Sequence, residues 1–218
     1  MKPIFYALVL SVAFSSINAQ SSKTIELSHY VFPEFSAGFV LMKSGEKNAA
    51  LLNYHSILEE VVFEDGQGKK AIADAQLPQV DTVYIKGRKF FRLNEMFVEL
   101  AHQSDYDLYV QYKCDIKYPG NVGAFGQTSQ TSSNQSFSQA SIQGTMYELA
   151  LPSGYKTKPY QHYWIKKDGE LNQFKNLNQL LKLYGDKKSL GKAFIKEHKT
   201  KISNTNDVAQ LVAYLEMD

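Results

Sequence analysis

The hydrophobic period of this chain changes once, at Asp168-Gly169, and that change constrains its fold more than any other feature. Before it, apolar residues come in short runs and alternations separated by turn residues, the period of two that lays one side of a strand on a core. After it, Leu177, Leu180, Leu181 and Tyr184 recur at i, i+3, i+4 and i+7, the spacing of a helix face. Strands first and helices last predict an α+β fold. It has an antiparallel β-rich body (a sandwich, a roll or an open barrel) followed by a small C-terminal helical tail.

Within the β-rich part, Phe35 to Met42 closes on Lys43-Ser44-Gly45-Glu46 and resumes at Asn48 to Tyr54, which reads as a hairpin. Leu58 to Phe63 reads as a strand ended by the loop Glu64-Asp65-Gly66-Gln67-Gly68. The clearest local signal is Val80 to Ile85, Lys86-Gly87, then Arg88 to Leu93, two β-rich runs around a two-residue turn. That turn predicts Val83 opposite Phe90, Val80 opposite Leu93 and Asp81 opposite Arg92. Met96 to His102 and Asp107 to Tyr118 continue a meander of six to eight strands, until Pro119-Gly120 stops it. Residues 121–144 then turn to Gly, Ser, Thr, Gln and Asn with no hydrophobic period, a long polar loop or linker. Thr145 to Leu151 and Tyr160 to Lys167 are two further expected strands.

In the tail, Gly185 is placed to end the first helix and Asp186 to cap a second that buries Leu190, Phe194 and Ile195. Asn204 is placed to cap a third, with Val208, Leu211, Val212 and Leu215 as its apolar stripe. The expected organisation is therefore a β-rich body over 20–168, including the polar loop at 121–144, and a helical tail over 169–218. A division into two subdomains, at that loop or near Asp168, stays open.

Residues 1–19 carry the address. Lys2, an apolar run from Ile4 to Phe14 and the small Ala19 make the pattern of a secretory signal peptide, predicting export to the periplasm or medium. The run is shorter than the roughly 20 residues a membrane-crossing helix needs, and no later segment is apolar for long enough, so no transmembrane segment is expected after cleavage. Cys114 is the only cysteine, which rules out an intramolecular disulfide; with 44% hydrophobic residues, the core must hold the fold. Its alternating surroundings, Tyr112 to Ile116, favour a buried structural thiol over a reactive one. Charge is uneven: from Lys156 onward twelve Lys face seven Asp and Glu, while residues 20–155 are net acidic. No nucleic-acid module or aromatic-interleaved basic stripe accompanies the lysines, so they read as the solvated faces of helices and no nucleic-acid partner is expected.

Several patches resemble a family of uncharacterised exported proteins of Gram-negative bacteria. They are Leu51-Leu52-Asn53-Tyr54, Asp81 to Ile85 with Arg88-Lys89-Phe90, Ala124 to Ser129, and Leu180 to Lys188 with Ala193 to Lys196 and Val208 to Tyr214. The resemblance implies export and a shared fold, and carries no activity with it.

No constellation in the sequence assigns a catalytic residue, a metal or a cofactor. His102 with Asp105 and Asp107 offers metal-ligand atoms near one turn, yet a solvated loop explains them as well. His55 with Glu59 and Glu60 has acid-base groups but no nucleophile motif, and reads as surface charge at a strand edge. The aromatic group Tyr160, His162 and Trp164, near Tyr155, Tyr163, Pro152 and Pro159, is the candidate ligand-binding patch for a sugar ring or peptide. Core packing of Trp164 competes with that reading. The sequence therefore predicts an exported, non-catalytic binding or interaction protein of the bacterial cell envelope, its partner an envelope protein or glycan. The alternative is an exported hydrolase of envelope or environmental polymers, its catalytic groups assembled from distant strands.

Overall fold

The structure, a computed structural model, describes residues 29–117, 121–122, 128–129 and 156–217. The expected signal peptide, most of the polar stretch and the strand expected at Thr145 to Leu151 lie outside the described residues.

Ten strands make one antiparallel sheet. They are β1 (Ser36–Met42), β2 (Lys47–His55), β3 (Glu60–Asp65), β4 (Gly68–Ala71), β5 (Val80–Ile85), β6 (Arg88–Leu93), β7 (Met96–His102), β8 (Leu108–Lys117), β11 (Lys156–Lys167) and β12 (Glu170–Phe174). Two short strands, β9 (Asn121–Val122) and β10 (Thr128–Ser129), pair with each other and, among the described residues, with no other strand. The order β12-β11-β8-β7-β6-β5-β1-β2-β3-β4 is two meanders joined at β1. One runs outward from β1 to β4, and the chain then returns through a short turn at Leu77–Gln79 to start the other at β5. Where β1 meets β5, a Cβ on Gly38 would fall inside contact distance of the Tyr84 carbonyl oxygen, so only glycine lets the backbones close.

The sheet curls. Five places separate β2 from β8, about 24 Å in a flat sheet. Yet the Tyr54 ring of β2 lies 6.1 Å from that of Tyr112 on β8, and the Tyr54 hydroxyl donates to the Phe97 carbonyl of β7 at 3.2 Å. A single rolled sheet thus encloses the core. One face carries Leu52, Tyr54, Val83, Ile85, Phe90, Phe97, Leu108, Val110, Tyr163 and Ile165, all buried at the period of two.

Three helices close the roll: α1 (Leu177–Leu183), α2 (Lys188–His198) and α3 (Thr205–Glu216). Leu180, Leu181, Val208, Leu211, Val212 and Leu215 join the same apolar cluster as the strands, and α3 packs on β7 and β8. The tail is therefore docked on the sheet. The Asn204 side chain caps α3, accepting from the backbone N–H groups of Asn206 and Asp207, and Asn176 caps α1 in the same way.

Four expectations need correcting. Helix does not begin at 169: Asp168-Gly169 is a hairpin turn with φ of 52° and 82°, joining β11 to a last strand, β12. Both central residues at positive φ are the signature of the tight turns that match strand twist, and Lys86-Gly87 (49° and 77°) repeats it. The stretch from Gly68 is a fourth strand rather than loop, and its pairing with β3 sets Lys69 opposite Glu64. In α2, Leu190 is 53% exposed, because Gly191 takes the buried position against Leu181 and Leu215 and turns Leu190 outward. Asp186 lies in a short turn at Gly185–Lys187 and makes no side-chain cap.

Candidate functional site

Strand alternation decides which members of the aromatic group meet. On β11, Tyr163 and Ile165 point into the roll, while Tyr160, His162 and Trp164 share the opposite face and are half-buried. Trp164 is thus not a residue of the roll's interior. Cross-strand neighbours on β8 complete the patch: Lys113 opposite Tyr160, Gln111 opposite His162 and Tyr109 opposite Trp164. From β12, Gln173 stands opposite Trp164, its amide 3.4 Å from His162 Nδ1.

The patch is an aromatic row with polar margins. The Tyr160 and His162 rings lie 5.3 Å apart, and Tyr109 meets Phe91 edge to face at 5.3 Å. The turn between β2 and β3 anchors one margin, where Glu59 takes the Gln111 amide at 2.5 Å and the Lys113 ammonium. Glu59 holds φ of 59°, a left-handed conformation uncommon outside glycine, Asn and Asp. Burial, then the nearby Lys175 and Lys113, lowers the His162 pKa, so its ring is a neutral donor and acceptor at pH 7. Burial followed by Asp115 raises that of Tyr160, keeping its hydroxyl protonated. The Trp164 Nε1 is buried without an acceptor among the described residues.

A second constellation lies where the inner face meets the start of α3. Arg88 grips Glu99 through Nε at 2.6 Å and Nη2 at 2.5 Å. The Tyr112 hydroxyl accepts from Arg88 Nη2 at 2.7 Å, donates to Glu99 at 2.6 Å and lies 3.3 Å from the Thr205 hydroxyl. The guanidinium stacks 4.7 Å from the Phe32 ring centre, with Phe90 and Tyr112 beyond. Burial opposes the charge on Arg88, but Glu99 and Tyr112 outweigh it and raise its pKa. A cavity of about 580 Å³ opens beside this group, bounded by Arg88, Glu99, His102, Tyr112, Thr205 and Asn206.

The other sequence candidates do not converge. His102 turns towards Glu216, 3.6 Å away, while Asp107 accepts from the Tyr109 hydroxyl. His55 is fully buried rather than at a surface edge, its Nδ1 accepting from the Leu58 N–H, with the His29 and Tyr30 rings packed about 5 Å away. Glu59 points instead to β8. Burial raises the pKa of the half-buried Cys114 thiol, which donates to the Asp115 carbonyl at 3.6 Å. Among the described residues no group of three or more His, Cys, Asp or Glu is placed to hold a metal, and no helix is long and apolar enough to cross a membrane.

The chain matches no family model, no curated protein and no solved structure. The Arg88–Glu99 pair escapes a search for motifs because its members are eleven residues apart on different strands. Parity was the usable signal: Arg88 is in phase with Phe90, and Glu99 with Phe97, so both charges fall on the apolar face.

Proposed function

We propose that this chain is an exported binding protein of the bacterial cell envelope that recognises a glycan on the outer face of β8, β11 and β12. The observation that carries the reading is the shared outward face of Tyr160, His162 and Trp164, with Lys113 and Gln173 beside it. Aromatic rings offer flat apolar area at low conformational cost, which suits the C–H face of a sugar ring. Neutral His162, the Tyr160 hydroxyl and the Gln173 amide supply both donors and acceptors, which hydroxyl groups need in mixed orientation. Export rests on the leader pattern, and the envelope setting on the family resemblance. The hydrolase alternative finds less support, since Arg88 and Tyr112 engage both oxygens of Glu99, the buried carboxylate beside the inner cavity.

Trp164 is the only tryptophan, so intrinsic fluorescence reads this face directly. Titrating the protein with soluble peptidoglycan fragments and with neutral β-linked oligosaccharides should give a saturable change in emission, lost in Tyr160→Ala. No change with either class at millimolar concentration overturns the reading.

A further inference from the structure

The half-satisfied arginine of the inner cavity points to a second site, independent of the outer face. We propose that the cavity between β6, β7 and the first turn of α3 binds a small molecule carrying one carboxylate, with Arg88 as its anchor.

Arg88 has five N–H groups in a fixed fork. Nε and Nη2 use three of them on Glu99 and Tyr112, and Nη1 meets no acceptor among the described residues. The side chain is 32% exposed, whereas Glu99 is 8% exposed and lies behind it. Glu99 and the aromatic rings thus act as a rigid mount: they hold the guanidinium in one orientation and leave its remaining edge at the cavity. An arginine fixed before binding loses little side-chain entropy when an anion arrives, the condition for useful affinity.

Size and charge narrow the ligand. About 580 Å³ suits a molecule of monosaccharide size with water around it. The charged side chains that reach the cavity from the inner face of the sheet are Arg88 and Glu99, whereas Lys89 borders it from a position that alternates to the other face of β6. A single carboxylate can take the N–H edge of Arg88 that Glu99 and Tyr112 leave unused, while a dianion brings extra repulsion from Glu99. Thr205 and Asn206 add a hydroxyl and an amide on the α3 side for further polar groups of the ligand. A sugar acid has both parts.

The test is ¹H–¹⁵N correlation spectroscopy of the full chain at low ionic strength, titrated with sodium D-glucuronate and, separately, with D-glucose. The expected result is saturable shifts confined to the amides of Gly87, Ala101, Thr205 and Asn206 with glucuronate, and binding about tenfold or more weaker with glucose. Arg88 supports the fold, so the confirming variant is Asn206→Asp, an exposed position in the first turn of α3 where an acidic residue suits the helix. It should melt like the parent and bind glucuronate about tenfold more weakly, with the uncharged glucose weakened by less. Equal shifts with both sugars, no localised shifts, or an unaltered glucuronate affinity in Asn206→Asp each overturn the proposal. Trp164 lies on the other face, so its fluorescence reports the fate of the glycan reading separately.

Discussion

Arg88 reaches Glu99 diagonally across β6 and β7: the register sets Phe90, not Arg88, opposite Glu99. A diagonal step of two residues spans about 7–8 Å between Cα atoms, which long side chains cross. The geometry lets Phe90 pack beneath the ion pair while Arg88 lies over its ring and that of Phe32. Charge placed on the core face of a sheet is tolerated here because both carboxylate oxygens and three of the five guanidinium N–H groups are matched.

Removing one partner should therefore cost more than removing both. Glu99→Ala leaves Arg88 unpaired at the edge of the core and should cost about 3 kcal/mol, the low end for such pairs because Arg88 is partly solvated. Arg88→Met with Glu99→Ala should cost less than the sum of the two single changes. Urea unfolding of the four proteins measures the coupling. Additive losses would show that the pair is not a unit.

Backbone closeness at Gly38 gives a second expectation. Gly38→Ala drives its Cβ into the Tyr84 carbonyl, which cannot move without breaking the β1–β5 ladder, and should cost about 3 kcal/mol or more. Gly191→Ala instead meets the terminal Cδ2 of Leu181, which can rotate, and should cost about 1 kcal/mol. The order of the two melting temperatures checks the argument, and a reversed order refutes it.

Local signals were legible wherever alternation or a helical stripe was unbroken. The pairing of Val83 with Phe90 follows from the Lys86-Gly87 turn and is observed. The stripe Val208, Leu211, Val212 and Leu215 is buried as its spacing implies. Asp168-Gly169 misled because one dipeptide serves equally as a helix boundary and as a hairpin turn, and the choice depends on whether the next five residues find a partner strand. Long-range relations were not legible: the insertion of β1 between β5 and β2, the curl that brings Tyr54 to Tyr112, and the docking of α3 beside Arg88 all depend on three-dimensional closure. For the outer patch, the sequence supplied Tyr160, His162 and Trp164. It grouped Glu59 with His55 and gave no hint of its contacts with Gln111 and Lys113, which the curl sets.

Adjacent residues on β11 should separate stability from recognition. Tyr163 is fully buried, stacks on Phe174 at 5.3 Å and donates to the Ile202 carbonyl at 2.7 Å. Tyr163→Ala should cost about 3–5 kcal/mol. Trp164→Ala, on the other face, should cost less than half of that and abolish glycan binding measured by calorimetry. If the two changes destabilise equally, Trp164 is packed as part of the core and the assignment of faces fails.

His162 makes stability depend on pH in a definite sense. Burial, Lys175 and Lys113 hold its folded-state pKa below the unfolded value of about 6.5, so between those two values the unfolded chain binds more protons. Stability from this residue is complete above the unfolded pKa. It declines as pH falls through the window and is lost below the folded pKa. Asp65, held low by the Gln67 N–H and then Lys70, acts in the same sense but in the carboxylate range, below about 4, and does not overlap. His162→Gln keeps a planar polar group opposite Gln111 and removes the titration. Urea midpoints from pH 5 to 8 should therefore show a shallower acid-side slope in the variant than in the parent, with the two curves parallel above pH 7. Parallel curves over the whole range would mean that the ring titrates as it does in the unfolded chain, and that the lysines beside it exert no hold on its charge.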